Sequence, residues 1–431
     1  MNHKIGNLFK GDKGIWMVFL FLCLISVVEV FSASSTLTYK SQNYLGPLLY
    51  HSGMIVFGVF VAIVILNIPC RYFKIVTPLM LIVTFGTLFW VLIGGESING
   101  ANRVISLAGF TFQPSEIAKG TMVLATAQIL SAMQRADGKG ADDKAMKYVL
   151  FIVLPAVFLI GIENLSTAVL LSTVIFCMMF VGRVPMMQIG KLLGAGVLLV
   201  AVFLTLVLTL GSFENVNDEK NSSVATATQG NKDAIKGGGV FHRFATWRNR
   251  ILNHSGDDDV PADKYDIDKN FQVGHANIAI ASSGIIGKGP GNSTERDYLP
   301  QAFSDFIYAI VIEETGIIGA VVVVFLYIIL LYRAARIAGR CENNFPAFLV
   351  MGLALLLVIQ ASINMMVAVG LMPVTGQPLP LISKGGTSTI INCAYIGAIL
   401  SVSRSARRID QTVRDGMSEV PSAEQSVINE E

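Results

Sequence analysis

Residues 305–332 read DFIYAIVIEETGIIGAVVVVFLYIILLY. This apolar run is long enough to cross a bilayer as a helix, because a span needs about 20 apolar residues. Asp305 stands at its start, where a helix cap would explain a carboxylate. Glu313 and Glu314 stand two turns or more further in, where charge is costly and indicates a buried cation or a polar cavity. The stretch therefore predicts a membrane span that carries a polar site.

The whole chain shares the composition of this stretch. Of its 431 residues, 53% are hydrophobic and only 14% are charged, whereas soluble domains carry about 25% charged residues. The five cysteines form no CxxC pair, so neither a disulfide scaffold nor a zinc site is predicted. Walker A, HExxH and dinucleotide-binding patterns are absent from the sequence. We expect a membrane protein with no organic cofactor and no nucleic-acid partner.

The apolar runs predict an all-α polytopic membrane protein with ten transmembrane helices. Nine spans are the main alternative, because the fifth and sixth runs are short and close together. Most Lys and Arg outside the long loop fall in segments that are cytoplasmic if the N-terminus is inside, which predicts that both termini are cytoplasmic. Nine spans would place the C-terminal basic cluster outside. The predicted spans are 14–34, 46–68, 75–95, 115–133, 147–162, 164–182, 190–212, 305–332, 346–371 and 385–403.

The spans divide the chain into a membrane domain and a tail. Residues 1–404 form the predicted membrane domain, and its first run is expected to be an uncleaved span. Residues 213–304 are a large extracytoplasmic loop between helices seven and eight, and we expect 215–239 within it to be mobile. Residues 405–431 are polar and are expected to form a disordered cytoplasmic tail.

Two polar motifs lie against the predicted membrane in addition to the carboxylates of 305–332. Pro114 begins a helix on which Glu116 and Lys119 share one face at i, i+3 spacing. We expect Lys119 to face a cavity, the alternative being a local ion pair. Residues 370–388 hold three prolines and four glycines, so they cannot form a regular helix and predict a cavity lining or a structural re-entrant loop.

The residue types at the outer face suit an anionic ligand. Lys384 is followed by two glycines, and a cation beside free backbone amides suits a phosphate. Arg103 adds a further cation at this face, and Asp305 adds a carboxylate suited to a general base or a metal ligand. The residues alone predict an extracytoplasmic site for an anionic lipid or solute.

In this order, the motifs resemble the SEDS family, the polytopic cell-wall proteins FtsW, RodA and SpoVE. The resemblance covers nearly the whole chain up to Arg404. Each motif by itself is weak, but their order along a ten-span topology is specific. The matching positions are residues 100–103, 113–119, 298–300, 304–308, 313–316, 364, 370–373 and 380–388.

The resemblance implies a peptidoglycan glycosyltransferase that polymerises lipid II on the outer face of the cytoplasmic membrane. An acceptor hydroxyl would attack the anomeric carbon of a lipid-linked donor, and undecaprenyl pyrophosphate would leave. Asp305 would be the catalytic base or a ligand of a divalent cation such as Mg²⁺ or Mn²⁺. The residues implied in substrate binding are Arg103, Glu116, Lys119, Ser383, Lys384 and Ser388.

The resemblance also implies partners and leaves alternatives open. A class B penicillin-binding transpeptidase and other division or elongation membrane proteins would act with the chain. An FtsW-like division role at the septum is favoured over a RodA-like elongation role, and a lipid II flippase or a weakly active scaffold is the second alternative. Five positions depart from the family pattern: Val104, Asn164, Phe303, Lys384 and Thr387.

Overall fold

The computed structural model describes residues 10–33, 46–98, 101–107, 110–136, 140–225, 271–299 and 302–418, with side chains for all but 47, 96–98, 101–103, 107, 110, 208–225 and 407–418. The fold is built mainly of helices. In chain order these are α1 (Lys13–Ala33), α2 (Gly46–Asn67), α3 (Cys70–Gly94), α4 (Pro114–Ala132), α5 (Ala145–Glu163), α6 (Leu165–Val181), α7 (Met186–Ala225), α8 (Phe271–Ala281), α9 (Ile307–Ala338), α10 (Asn344–Ala368) and α11 (Thr387–Ser418).

The chain is a multi-pass membrane protein. Seven helices of the described residues are long and apolar enough to cross a membrane, namely α1, α2, α3, α5, α7, α9 and α10. Their outward faces carry apolar side chains, such as Phe151 (80% exposed) and Met187 (74% exposed), as expected where lipid replaces water. The other three predicted spans fall on α4, α6 and α11, so the count of ten remains a prediction.

Two helices run past their predicted ends. The backbone of α7 continues to Ala225, beyond the predicted limit at 212, and α11 continues to Ser418. Part of the loop expected to be mobile and part of the tail expected to be disordered are therefore helical in backbone. The rest of both segments, 226–239 and 419–431, lies outside the described residues.

A small sheet corrects the all-α prediction. Strands β1 (Glu96–Ile98), β2 (Ala101–Leu107) and β3 (Phe110–Phe112) form an antiparallel sheet in that order between α3 and α4. Ser97 pairs with Asn102 and Ser106 with Thr111. The Asn-Gly at 99–100 was an available hairpin signal, because this dipeptide favours the tight turns that join antiparallel strands.

Helices α4 and α10 lie at the centre of the bundle. Helix α4 contacts α3, α5, α6, α10 and α11, while α10 also contacts α6, α9 and α11. Helix α4 begins at Pro114, whose fixed φ suits the first helical position. Polar side chains on these two helices therefore lie inside the protein, where each needs a hydrogen-bond partner.

Helix α9 is broken at Gly316, which has φ 70° and ψ −169°. The segment after α8, residues 284–296, is here called the clamp loop, and its backbone lies against the break. Lys288 N donates to Glu313 O (2.9 Å), and Gly289 N donates to Glu314 O (2.8 Å). These bonds satisfy carbonyls that an unbroken helix would satisfy itself.

Candidate active site

Asp305 lies in the turn just before α9 and is partly exposed. Ser304 Oγ donates to Asp305 Oδ1 (2.9 Å), and Asn364 Nδ2 of α10 donates to Asp305 O (2.8 Å). The carboxylate also lies beside Gly376, since a Cβ at that glycine would come within 3.5 Å of Asp305 Oδ2. The turn is thus held from α10 while the carboxylate stays next to the segment between α10 and α11.

That segment, residues 373–386, is here called the re-entrant segment, and it docks on the turn of Asp305. Ser383 Oγ donates to Ser304 O (2.6 Å), and Lys384 N donates to Phe303 O (2.9 Å). These bonds place the backbone of Lys384 against the residues just before Asp305. The predicted base is therefore adjacent to the segment that carries one predicted phosphate-binding cation.

Polar side chains from the surrounding helices satisfy the backbone of the re-entrant segment. Non-helical backbone inside a membrane needs such partners, because no water or lipid group replaces them. Five side chains from α1, α9, α10 and the segment itself take part. Four of them donate to backbone carbonyls: Ser26 to Ile382 O (2.6 Å), Tyr327 to Pro380 O, Gln360 to Pro378 O (3.0 Å) and Asn364 to Gln377 O (2.7 Å). The fifth, Ser383 Oγ, accepts from Leu379 N (2.8 Å).

Glu116 and Lys119 form a buried ion pair of 2.8 Å on α4. Lys119 is 0% exposed and also donates to Gln360 Oε1 (2.7 Å). Because Gln360 in turn holds Pro378 O, the pair is linked to the re-entrant segment. The local ion pair left open by the sequence is present, and the pair has no contact with solvent.

The other predicted substrate-binding residues have different surroundings. Ser383 Oγ accepts from Leu379 N and donates to Ser304 O, and Ser388 Oγ donates to Gly385 O (2.9 Å). Both hydroxyls hold backbone, and their contact with substrate remains a prediction. Arg103 lies in β2, and its side chain is outside the part of the chain that the structure describes.

Glu313 and Glu314 both bind the clamp loop. Glu313 Oε1 accepts from Lys288 Nζ (2.6 Å) and Thr294 N (3.0 Å), and its Oε2 accepts from Ser293 Oγ. Glu314 Oε2 accepts from Gly291 N (3.0 Å), and Arg296 Nη1 lies 4.0 Å from its Oε1. Each glutamate thus lies within 4.0 Å of a cation from the long loop, but Lys288 and Arg296 are only partly buried, unlike the buried cations that were expected.

Two residues that depart from the family pattern, Phe303 and Lys384, contact each other. Lys384 Nζ lies 4.9 Å from the ring centroid of Phe303, a cation–π geometry. Partial burial lowers the pKa of Lys384 below the ordinary lysine value of 10.5. A third departure, Asn164, caps α6 by accepting from Thr167 N (3.2 Å), a role that Asn and Asp fill equally well.

Two important residues were missed by sequence reasoning. Gln360 and Gln377 join distant elements, since Gln377 Nε2 donates to Thr167 Oγ1 of α6 (2.8 Å). Both are almost fully buried. A lone glutamine in the apolar run of α10 was the available signal for Gln360, because an uncharged polar group there also needs a partner.

The described residues do not form a resident metal site. None of their His, Cys, Asp and Glu side chains cluster in groups of three or more. Asp305 offers one carboxylate. Mg²⁺ is usually held by one or two carboxylates together with phosphates of the substrate. A divalent cation therefore remains a prediction, and it would need ligands from a diphosphate.

Comparisons with known proteins agree with this architecture. The chain is 31% identical to a protein of Hahella chejuensis named as a probable peptidoglycan glycosyltransferase FtsW, covering 91% of this chain and 90% of that protein. It is 29% identical to a Saccharophagus degradans protein of the same name, covering 90% and 92%. It is 26% identical to the peptidoglycan glycosyltransferase MrdB of Escherichia coli, covering 93% and 96%.

Solved structures share the fold. A structure describing coordinated polymerization and crosslinking by a peptidoglycan synthase complex aligns with a TM-score of 0.67 at 22% identity, covering 92% of this chain and 99% of that chain. The rod shape determining protein RodA of Thermus thermophilus aligns with a TM-score of 0.61, also at 22% identity, covering 93% and 99%. The family model described as cell cycle protein, FtsW/RodA/SpoVE, matches residues 12–408, and the chain belongs to that family.

Proposed function

We propose that this protein is a peptidoglycan glycosyltransferase that polymerises lipid II. The observation that carries the proposal is the docking of the re-entrant segment on the turn of Asp305, through Ser383 and Lys384. This docking sets the segment that carries Lys384 against the turn that carries Asp305, so one carboxylate and one cation could serve a transfer from a diphosphate leaving group. The names of relatives that cover nearly the whole chain support the same activity.

In the proposed reaction, Asp305 takes the proton from the attacking acceptor hydroxyl. That oxygen forms the new bond to the anomeric carbon while the bond to the diphosphate oxygen breaks. The electron pair leaves with undecaprenyl pyrophosphate, whose negative charge Lys384 would stabilise. Asp305 is partly exposed, so it can reach a hydroxyl outside the protein.

Glu116 and Lys119 would act behind this site. In the described residues no donor reaches Glu116 Oε2 or Asn364 Oδ1, although both atoms are buried. Such acceptors can bind substrate hydroxyls if the re-entrant segment moves. The pair, linked through Gln360 to that segment, is proposed to hold it and to contact substrate only in an open state.

The experiment is a lipid II polymerisation assay with the purified chain and its cognate transpeptidase. Asp305→Asn keeps the size of the side chain and removes the base, so we expect a loss of roughly 10²–10⁴-fold. Asp297→Asn, an exposed carboxylate a few residues earlier, is the matched control and should retain activity. Equal product from Asp305→Asn and the wild type would contradict the catalytic role and favour a scaffold.

The same assay tests the divalent cation. If Asp305 and the diphosphate hold Mg²⁺ or Mn²⁺ together, a chelator should abolish polymerisation and either ion should restore it. Activity that persists in chelator would rule the cation out and leave Asp305 as a base. Lipid II flipping in proteoliposomes, unchanged by Asp305→Asn, would instead favour a flippase.

We further propose ten spans with both termini cytoplasmic, and a division role at the septum beside a class B penicillin-binding transpeptidase. Relatives named FtsW support the division role, while similarity to MrdB keeps elongation as the alternative. Depletion of the protein should produce filaments if it serves division. Rounded cells of normal division frequency, with a tagged protein spread along the side wall, would favour elongation.

A further inference from the structure

A cavity of about 290 Å³ lies at the end of the bundle opposite to Asp305. It opens among the residues before α1, the last turns of α9 and the later part of α11. From the break at Gly316 to Arg333, α9 extends about 25 Å at a rise of 1.5 Å per residue, so the cavity lies well away from the candidate active site. Its volume is close to the lower limit of about 300 Å³ for small-molecule pockets. The polar residues that line it are Asp12, Lys13, Arg333, Arg340 and Ser403.

The lining is positively charged, because it holds three cations and only one carboxylate. That carboxylate, Asp12, already accepts hydrogen bonds from the protein. Asp12 Oδ1 accepts from Ile15 N (3.0 Å) and Arg333 Nε (2.9 Å), and Asp12 Oδ2 accepts from Arg333 Nη2. Within the described chain, neither Lys13 nor Arg340 has a carboxylate within the 4.0 Å of an ion pair. These two charges are available to a ligand.

The wall of the cavity is fixed by packing. Arg333 crosses α1 at Gly14, where a Cβ would come within 2.6 Å of Arg333 Nε. Gly11, with φ +101°, brings the segment before α1 against Leu400 O of α11. Asp12 occupies the Nε and Nη2 side of this guanidinium, so Arg333 can offer an anion only the remaining N–H groups of Nη1 and Nη2. Because the ion pair already orients the guanidinium, it loses less freedom when it binds an anion.

Solvated cytoplasmic cations are a simpler explanation for the basic residues at this end. That explanation accounts for Arg336, which is exposed on the same helix end and does not line the cavity. Lys13 and Arg340 are exposed as well, but unlike Arg336 they line a concave site beside Arg333, whose guanidinium is held by Asp12. We propose that this cavity binds a phosphate-bearing anion at the predicted cytoplasmic face, either an anionic phospholipid headgroup or a soluble phosphate compound.

The test measures ligand binding to the full-length chain in neutral detergent, by native mass spectrometry and titration. The probes are phosphatidylglycerol and inorganic pyrophosphate, with diacylglycerol as the lipid that lacks phosphate. The cavity variant is Lys13→Gln with Arg340→Gln. The matched control is Arg71→Gln with Arg336→Gln, which removes two exposed cations of the same face that do not line the cavity.

We expect the cavity variant to bind phosphatidylglycerol roughly thirtyfold more weakly, since each cation near a lipid surface contributes about 1 kcal/mol. The control variant should bind nearly as well as the wild type, and diacylglycerol should not bind. Binding of phosphatidylglycerol alone would assign the ligand to the bilayer, and binding of pyrophosphate as well would assign the site to phosphate compounds generally. Equal losses in the two variants, or no loss in the cavity variant, would overturn the proposal.

Discussion

At the scale of single residues, the buried pair of Glu116 and Lys119 shows how charge is kept inside this protein. Lys119 has no exposure to solvent, and its ammonium binds both Glu116 and Gln360. The i, i+3 spacing on α4 predicts the ion pair. The amide of Gln360 comes from α10, more than two hundred residues away, and only packing brings it there.

Breaking this pair should destabilise the protein. Glu116→Gln leaves a buried ammonium without its carboxylate, and we expect it to lower the free energy of unfolding by about 3–5 kcal/mol. Lys119→Met should lower the free energy of unfolding by a similar amount. The double variant removes both charges, so its loss of free energy should be smaller than the sum of the losses of the two single variants. Denaturant unfolding in mixed micelles measures these differences, and additive losses would show that the two charges are not coupled.

We expect the pKa of Lys384 to set the alkaline limit of activity. Partial burial lowers its pKa below 10.5, because desolvation disfavours the charged form. If the cation stabilises the leaving diphosphate, activity is present below that pKa and is lost as the pH rises through it. Lys384→Arg should move this alkaline limb to higher pH, since arginine stays charged. Initial rates measured from neutral pH upward check this, and an unmoved limb would exclude Lys384 as the titrating group.

At the scale of elements, the break in α9 allows one long span to bind a loop. Gly316 takes a left-handed backbone conformation, so Glu313 and Glu314 end one short helix and the next begins at Ile317. The clamp loop fills the gap with its own backbone, as Ile317 N donates to Gly284 O (3.3 Å). The two glutamates therefore join the long outer loop to the same helix that Asp305 precedes.

Alanine at the break should be poorly tolerated. A Cβ at Gly316 would lie 2.2 Å from Ile285 O, and its φ of +70° is strained for any L side chain. Backbone at φ 70° and ψ −169° is open essentially to glycine only and costs another residue roughly 1–3 kcal/mol, so Gly316→Ala should lower the apparent melting temperature clearly.

A glycine elsewhere provides the control. Gly86 is inside α3, where a Cβ meets nothing within 4 Å. Because alanine favours helix over glycine by about 1 kcal/mol, Gly86→Ala should keep or raise the melting temperature. Thermal unfolding in detergent compares the two variants, and equal melting temperatures would contradict the proposed role of the break.

At the scale of the whole molecule, the predicted orientation places the clamp loop outside and the basic loops inside. In a background without the five native cysteines, we expect Asp297→Cys to react with a membrane-impermeant maleimide in intact cells. Glu342→Cys, between α9 and α10, should react only after the cells are permeabilised. Both native side chains are exposed, so accessibility within the protein is matched. Labelling of both in intact cells would contradict the orientation.

The architecture of the whole molecule was predicted in part from the sequence. Helix positions were predicted well because apolar runs and flanking charges are local features of the chain. The strands after α3 were missed because their alternating pattern is short and lies between two long apolar runs. The ends of α7 and α11 were missed because a polar helix that continues past a membrane carries no apolar signal.

The sequence by itself determined that this is a polytopic membrane protein, roughly where its apolar helices lie, and which motifs it shares with its family. Those properties depend on residue type and order along the chain. Only the tertiary structure decided that the backbone of Lys384 docks on the turn before Asp305, that Gln360 links Lys119 to the re-entrant segment, and that the clamp loop binds two glutamates of α9. The physical reason is that buried backbone and charge are satisfied by partners from remote helices, and many pairings are compatible with one pattern of apolar runs.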